Sequence, residues 1–261
     1  MDNSKIEILK LKINKGGLHR VIELAKKLIE NSEKFYVCAL NAYVTVKANE
    51  DKELLQIIKN AKIVIPDGIS SVWYSKTFKN DDYLLERIDG FKFFYEFSKV
   101  ANVKGYSYYF MGGENETILG KIKKRLNKEF YNIEVKGYYC PPFRKDFTGD
   151  INELMIKKIN ECKPDILWVG LSAPKQEKWI YQNFERLDIK MAAGIGAVFN
   201  FYAGEVKRAP LWMQNKGFEW LYRIYAEPKR MFKKYMVYNT KFIILVVKDL
   251  FRRCLKCRIT K

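Results

Sequence analysis

Three polar side chains follow an apolar run in the middle of the chain. Residues 166–169 are apolar, a Gly-Leu-Ser-Ala-Pro segment interrupts the run, and Lys175, Gln176 and Glu177 come next. This pattern is typical of a buried strand that turns into a helix. Ligands of parallel sheets bind where strands end and helices begin, so a cation, an amide and a carboxylate there could hold a nucleotide or sugar. The alternative is a solvated helical turn in which Glu177 only complements the helix dipole.

A second candidate is Asp67, which follows a short β-branched run at residues 62–66 and precedes Gly68. A carboxylate at the end of a strand, beside a glycine that permits close approach, is well placed to act as a general base. The alternative is that Asp67 caps a helix beginning near Ile69. The single histidine, His19, is distant along the chain from both candidates, so we do not expect histidine-based acid–base chemistry.

Two further segments could bind anions. Arg87 lies in a Glu-Arg-Ile-Asp-Gly segment, where it could bind an anion or pair with Glu86 or Asp89. Gly112 and Gly113 separate a predicted strand from a predicted helix, which is the layout of a phosphate-binding turn. The paired glycines match neither the dinucleotide-binding GxGxxG pattern nor a P-loop, so this signal is weak.

The charge of the chain is positive and unevenly distributed. The formal net charge is +18, and residues 204–261 hold 15 lysines and arginines against four acidic residues, a net charge of +11. Such a balance favours phosphate, nucleic acid or an anionic membrane face as partner. Aromatic residues alternate with these cations, a combination that suits a lipid–water interface or nucleic acid. The apolar run at 242–247 is much shorter than the roughly 20 residues that a spanning helix needs.

The cysteines and the N-terminus predict a reduced, cytoplasmic protein. The five cysteines are an odd number, and the first 15 residues contain no continuous apolar segment of the kind found in signal peptides. Cys254 and Cys257 lack a second pair of ligands, so we expect free thiols there and no zinc.

Strands alternate with helices over the first 203 residues, which predicts an α/β fold with a mostly parallel, Rossmann-like sheet flanked by helices. From residue 204 the pattern changes to helices without strands. We therefore predict a core domain at 1–203 and a basic, helical, membrane-associating C-terminal appendage at 204–261. The strands are predicted at 6–13, 35–40, 62–66, 106–111, 133–139, 166–169 and 190–198.

Six segments, in order from about Phe35 to Tyr235, together resemble the WecG/TagA/CpsF family of bacterial glycosyltransferases, glycosyltransferase family 26. They are IPDG (65–68), ERIDG (86–90), FMGG (110–113), APKQEKW (173–179), GIGAVFNFYAGEVKRAP (194–210) and GFEWLYRIYAEPKR (217–230).

This resemblance implies an inverting, metal-independent transfer of N-acetylmannosamine or a related hexose. The donor would be a UDP-sugar, and the acceptor a polyprenyl-diphosphate-linked sugar used for teichoic acid, capsule or exopolysaccharide. The resemblance implies no cofactor, a peripheral position on the inner face of the membrane and no nucleic-acid partner. It is compatible with a homo-oligomer. The chain contains no Asp-x-Asp motif, so side-chain cations would have to neutralise the departing UDP.

The resemblance also assigns roles to individual residues. Asp67 matches the family's proposed catalytic base. Two departures occur: Ala39 stands where the family often has threonine, and Asn200 stands where it often has an aspartate that helps to hold the nucleotide base. An amide at Asn200 can still donate and accept hydrogen bonds. The remaining matches are pocket residues (Asn41, Arg87, Gln176, Glu177) and basic residues of an appendage that closes over the active site (Arg208, Arg223, Arg230).

Two other classes of function remain open at this point. A basic nucleic-acid-binding α/β protein without catalytic activity would explain the charge and the aromatic residues, but it gives the IPDG and PKQE segments no role. A nicotinamide-dependent oxidoreductase would explain the sheet, but GxGxxG is missing after the first predicted strand.

Overall fold

The structure is a computed structural model that describes residues 4–78, 82–144 and 146–259, apart from the side chains of Arg230 and of residues 254–259. The predictions for the Cys254 and Cys257 thiols and for the Arg230 side chain lie outside the described residues.

A six-stranded parallel sheet forms the centre of the fold, which confirms the predicted α/β class. The strand order is β4-β3-β8-β7-β5-β6, so the last strand of the chain lies at the centre of the sheet. All neighbouring strands are parallel, and their carboxyl ends therefore share one edge. The strands are β3 (Phe35–Ala39), β4 (Ile63–Ile65), β5 (Tyr108–Gly112), β6 (Val135–Tyr139), β7 (Ile166–Gly170) and β8 (Met191–Gly194).

The predicted strand at 6–13 is wrong, because this segment is a hairpin outside the main sheet. Strands β1 (Lys5–Ile8) and β2 (Leu11–Asn14) pair antiparallel. Leu9 and Lys10 between them have φ of 49° and 70°, as a tight two-residue hairpin turn requires. The apolar alternation changes phase between Ile8 and Leu9, and this is the signal for the turn. The Asn14 side-chain oxygen accepts a hydrogen bond of 2.7 Å from the Val64 N–H and so attaches the hairpin to the edge strand β4.

Helices cover both faces of the sheet. Alternate residues of each strand point to opposite faces, so two apolar cores form. Trp168 in β7 is fully buried in one of them, with four aromatic rings within 6.2 Å of its own. That face carries α1 (Gly17–Glu30), α5 (Gly90–Lys104), α6 (Glu116–Glu129) and α9 (Val198–Tyr202), and the other carries α2 (Ala42–Glu50), α3 (Lys52–Asn60), α4 (Ile69–Phe78), α7 (Gly149–Cys162) and α8 (Lys175–Asn183).

The C-terminal appendage folds as α10 (Leu211–Asn215), α11 (Glu219–Ala226) and α12 (Pro228–Ile259). The sequence pattern predicts one helix over residues 211–225, but this segment forms two helices, and Gly217 adopts a φ of 78° at the break. Helix α12 packs across α2, where the rings of Tyr43 and Tyr238 lie 4.5 Å apart and Lys241 pairs with Glu50 at 2.6 Å. A domain boundary at residue 203 stays a prediction. None of the helices among the described residues combines the length and apolar character needed to cross a bilayer.

Gly112 tests how tightly the carboxyl edge of the sheet is packed, and Gly120 serves as the control. A Cβ on Gly112, whose φ is 107°, would lie 2.7 Å from the Gly170 backbone, whereas a Cβ on Gly120 in α6 would meet only the Tyr138 hydroxyl at 3.9 Å. We expect Gly112→Ala to lower the free energy of unfolding by more than about 1 kcal/mol. Gly120→Ala should raise it by about 0.5–1 kcal/mol, because alanine favours a helix interior. Equilibrium urea unfolding measures both, and a Gly112→Ala protein as stable as the wild type would contradict the packing.

Candidate active site

A cavity of about 1160 Å³ lies over the carboxyl edge of the sheet. Residues of the appendage, including Trp220, Arg223 and Tyr235, form its roof. The cavity therefore lies where the sequence places ligand binding, between the strand ends and the C-terminal helices. A residue within two positions of the end of each of the six strands lines it, namely Asn41, Asp67, Gly113, Pro141, Leu171 and Ile195.

The Asp67 carboxylate is oriented by two donors in the cavity wall. Asn41 Nδ2 donates to Asp67 Oδ2 at 3.0 Å, and the Gly90 N–H at the start of α5 donates to Oδ1 at 3.2 Å. Asn41 is itself held in one orientation, because its Oδ1 caps α2 by accepting from the Val44 N–H at 3.1 Å. The side-chain hydrogen bonds of Asp67 thus come from outside α4, which argues against the helix-capping alternative.

Desolvation raises the pKa of Asp67 above its ordinary value, although the nearby Arg87 guanidinium and the Asn41 amide oppose this effect. A carboxylate with a raised pKa is a stronger base than an ordinary aspartate. It is also ionised more readily than a carboxyl buried without these partners. Both properties suit a group that must accept a proton from a hydroxyl.

Arg87 and Arg208, which the resemblance predicts to bind substrate, form a buried four-membered ion network with two carboxylates. Arg87 pairs with Glu219 of α11 and lies 3.6 Å from Asp89, and Arg208 lies 3.2 Å from Asp89 and 3.4 Å from Glu219. Asp89 and Glu219 are 4% and 7% exposed. Two cations facing two anions make the network neutral, so most of the positive charge of Arg87 and Arg208 is compensated inside the protein.

Arg223 is placed differently from these two arginines. It lines the cavity, its guanidinium lies 5.5 Å from the centre of the Phe201 ring, and its buried Nε has no hydrogen-bond partner among the described residues. Burial raises the pKa of the neighbouring Tyr235, and Arg223 partly offsets this rise. The phenol and the guanidinium therefore lie side by side in the roof. Arg223 therefore keeps hydrogen-bonding capacity for an anion in the cavity.

Gln176 and Glu177 lie in the first turn of α8, as predicted, but the turn is not solvated. They are 4% and 2% exposed, and Gln176 Nε2 donates to Glu177 Oε1 at 2.9 Å. A Cβ on Gly194 at the end of β8 would lie 2.8 Å from Gln176 Nε2, so the glycine makes room for this amide. Gln176 Oε1 and Glu177 Oε2 are buried, and neither has a hydrogen-bond partner in the part of the chain that the structure describes. Burial raises the pKa of Glu177 to about 7.

Gly113 and Asn200 line the cavity where β5 ends and at α9, and Gly112 precedes them in β5. Gly112 is buried at the end of β5, and the Gly113 N–H donates to the Gly170 carbonyl at 3.0 Å. Close packing against Gly170 explains Gly112, and a φ of 88° explains Gly113, so neither glycine requires a phosphate. Asn200 lines the cavity in α9 and donates from Nδ2 to Glu114 Oε1 at 2.7 Å. Ala39 also lines the cavity, and a methyl group there can make no hydrogen bond.

Sequence reasoning missed several residues of the cavity. Glu219 is one of only four acidic residues in the appendage, and an isolated acid in a basic segment could have indicated an ion pair. Lys234 and Tyr43 gave no such signal, since a cation–π contact of 4.1 Å between α12 and α2 depends on tertiary packing.

The raised pKa of Glu177 predicts how the free energy of unfolding depends on pH. Its pKa is 4.5 in the unfolded chain and about 7 in the folded protein, so the folded state holds a proton that the unfolded state releases. The stability linked to this proton is complete below pH 4.5 and is lost as the pH rises through 7. Relative to wild type, Glu177→Gln should gain up to about 3 kcal/mol in free energy of unfolding between pH 4.5 and pH 8. Urea unfolding measures the gain, with the exposed Glu185→Gln as control. A difference independent of pH would contradict the raised pKa.

Comparison with known proteins connects this geometry to a family. The model of the "Glycosyl transferase WecG/TagA/CpsF family" matches residues 6–255. A Bacillus subtilis (strain 168) relative is 31% identical over 227 residues, which is 87% of this chain and 84% of the relative. A Staphylococcus aureus (strain MRSA252) relative is 26% identical over 233 residues, 88% of both chains. Both are named N-acetylglucosaminyldiphosphoundecaprenol N-acetyl-beta-D-mannosaminyltransferase.

The match extends from the N-terminal hairpin through the six-stranded sheet into α12, so it includes every strand end that lines the cavity and the helices that cover it. This chain belongs to the WecG/TagA/CpsF family of glycosyltransferases.

Proposed function

We propose that this protein transfers N-acetylmannosamine or a related hexose from a UDP-sugar to a polyprenyl-diphosphate-linked N-acetylglucosamine. The transfer inverts the anomeric configuration and uses no metal ion. The product serves the synthesis of teichoic acid or another cell-surface polysaccharide. The names of the relatives support the lipid-linked acceptor and the amino sugar. The observation that carries the proposal is the Asp67 carboxylate, held by Asn41 and Gly90 at the wall of a cavity large enough for two substrates.

Asp67 acts as the general base in this proposal. The acceptor hydroxyl oxygen attacks the anomeric carbon while its proton passes to an oxygen of Asp67. The bond between the anomeric carbon and the UDP oxygen breaks on the opposite face, and UDP leaves with the electron pair. The raised pKa of Asp67 favours this proton transfer, and positioned general bases typically contribute about 10²–10⁴-fold in rate.

Arg223 stabilises the departing diphosphate. Negative charge grows on the UDP oxygens as the bond breaks, and a fixed cation in a partly desolvated cavity stabilises that charge more than water would. Among the described residues no carboxylate pairs with Arg223, whereas Arg87 and Arg208 are engaged by Asp89 and Glu219. We therefore assign the leaving-group contact to Arg223 and a positioning role to the other two.

The appendage attaches the enzyme to the inner face of the membrane. Its net charge is +11, and each Lys or Arg near an anionic leaflet contributes about 1 kcal/mol. Large apolar side chains of the appendage are exposed beside these cations and can enter the lipid–water interface. They include Leu211, Trp212, Leu221, Phe232, Met236 and Ile244. Attachment here brings the cavity close to a lipid-linked acceptor.

The reaction itself is tested by mass spectrometry of products formed from a panel of UDP-sugars and a short-chain lipid-diphosphate-N-acetylglucosamine acceptor. Formation of a disaccharide product supports the proposal. If no donor is used and the protein instead binds generic DNA in a salt-dependent manner, the nucleic-acid-binding alternative is correct.

Asp67→Asn tests the base. The amide keeps the size of the side chain and can accept from the Gly90 N–H, but it cannot take up a proton. We expect turnover to fall by about 10²-fold or more while the thermal unfolding midpoint changes little. The matched control is Asp188→Asn, an exposed aspartate before β8 at the opposite edge of the sheet, which should keep wild-type turnover. Near-normal turnover in Asp67→Asn would remove Asp67 from the chemistry.

Metal removal tests the role of the cations. If Arg223 stabilises the diphosphate, turnover after exhaustive dialysis against EDTA should stay within about twofold of the untreated enzyme, because a side-chain cation supplies the electrostatic stabilisation. Arg223→Ala in the same assay should lose at least about 10-fold in turnover. Loss of activity in EDTA that Mg²⁺ or Mn²⁺ restores would overturn the metal-independent mechanism.

A further inference from the structure

The cavity continues away from the strand ends into an apolar groove between α4 and α12. Its α4 wall is formed by Trp73, Tyr74, Thr77 and Phe78. Its α12 wall includes Phe242, Ile243 and Val246. We call this region the α4–α12 groove. It belongs to the same cavity as Asp67 and Arg223, so a ligand can occupy both regions at once.

The polarity of the cavity changes along its length. The region near the strand ends contains Asp67, the four-membered ion network and Arg223. In contrast, the cavity-lining residues from α4, and those of α12 from Met236 onwards, include no charged side chain within the described part of the chain. A molecule that fits the whole cavity is therefore polar at one end, where Arg223 can meet an anionic group, and apolar at the other.

Polar contacts hold the two walls together further along α12. The Tyr74 hydroxyl donates to Asp249, Arg253 Nη2 donates to the same hydroxyl at 2.8 Å, and Arg253 Nε pairs with Asp249 at 2.8 Å. Tyr74 is 3% exposed. This contact fixes the spacing between α4 and α12, so the groove is a built feature of the fold.

The rim of the groove opens to the surface. Trp73 and Ile243 line the cavity and are nevertheless 53% and 61% exposed. Three neighbouring exposed side chains of α12, Ile244, Val247 and Phe251, are apolar as well, and they lie beside the exposed cations Lys248 and Arg252. An apolar chain leaving the groove would meet an apolar surface, where burial of hydrocarbon is favourable.

We propose that the α4–α12 groove binds the first isoprenyl units of the acceptor lipid. This inference rests on the proposed function, because it requires an acceptor whose sugar is joined through a diphosphate to a polyprenyl chain. In such an acceptor the sugar lies at Asp67, the diphosphate near the cationic part of the cavity, and the hydrocarbon in the groove. The chain then passes between Trp73 and Ile243 towards the bilayer.

Two adjacent isoleucines of α12 separate this role from general membrane binding. Ile243 lines the cavity, whereas Ile244 is 47% exposed and is not among the lining residues. Both are on the surface of one helix, so an aspartate at either position should leave the fold intact, which thermal unfolding verifies. Both substitutions add one negative charge at the same height of the exposed part of α12 and should weaken sedimentation with anionic liposomes equally.

The test compares two water-soluble acceptors without membranes, N-acetylglucosamine-diphosphate carrying either a farnesyl or an ethyl group. Wild-type enzyme should show a KM for the farnesyl acceptor at least about 10-fold below that for the ethyl acceptor, because burial of the prenyl chain favours binding. Ile243→Asp should raise the farnesyl KM by about 10-fold and leave the ethyl KM and the donor KM unchanged. Ile244→Asp should leave all three unchanged. Calorimetric titration with farnesyl diphosphate gives a readout that needs no turnover, and Ile243→Asp should weaken it by the same factor.

Each other outcome has a defined meaning. Equal KM values for the two acceptors in the wild type, or equal effects of Ile243→Asp and Ile244→Asp, would overturn the groove while turnover of the ethyl acceptor preserves the proposed function. If neither acceptor is turned over with any donor, the proposed function fails. In that case, if farnesyl diphosphate binds and Ile243→Asp weakens the binding, the groove is still supported as a prenyl site. If farnesyl diphosphate does not bind, the groove is excluded as well.

Discussion

One guanidinium connects the two halves of the cavity. Arg87 Nε donates to the backbone carbonyl of Asp67 at 2.7 Å, and the same side chain pairs with Glu219 of α11. The carboxyl end of β4 and the appendage are therefore both held by one planar guanidinium. Because Asp89 and Glu219 are almost fully buried, removing one arginine would leave two desolvated carboxylates facing a single cation. In other proteins such a loss costs about 3–5 kcal/mol. The roof and the base are thus positioned together.

This arrangement divides the cations of the cavity into two groups with different tasks. Arg87 and Arg208 face Asp89 and Glu219, so their charges stabilise the fold around Asp67, and Arg87 also lowers the pKa of Asp67. Arg223 lies one helical turn beyond Glu219 on α11, which brings it into the roof, where no carboxylate of the described residues pairs with it. The helix thus presents an acid that pairs with the core and, four residues later, a cation that lines the cavity, which is the spacing of neighbours on one helical face. The short helix α11 therefore both attaches to the core and contributes to the cavity.

Much of the core was predictable, because each parallel strand is a short apolar run bounded by turn residues, and parallel strands end at one edge. The convergence of Asn41, Asp67, Gln176 and Glu177 follows from that rule. The hairpin was missed because its apolar residues continue through the turn with only a change of phase. Helix α2 was missed because its buried side chains point in most directions around the helix, which leaves only a weak apolar periodicity. The Arg87–Glu219 pair joins residues 132 positions apart, and no local pattern encodes it.

The proposed roles in chemistry, lipid recognition and membrane attachment all involve helix α12. Its 32 residues rise far beyond the edge of the sheet, so one face meets different surroundings along its length. Near its start, Tyr235 lies beside Arg223 in the roof. In the middle, Phe242 is 6% exposed and packs into the core on the α2 side. Later, Asp249 and Arg253 hold α4 through Tyr74. The exposed face of α12 mixes apolar side chains such as Ile244 and Phe251 with cations such as Lys233 and Lys248. A movement of this helix at a membrane would change the roof and the groove together, because a continuous helix transmits displacement along its axis.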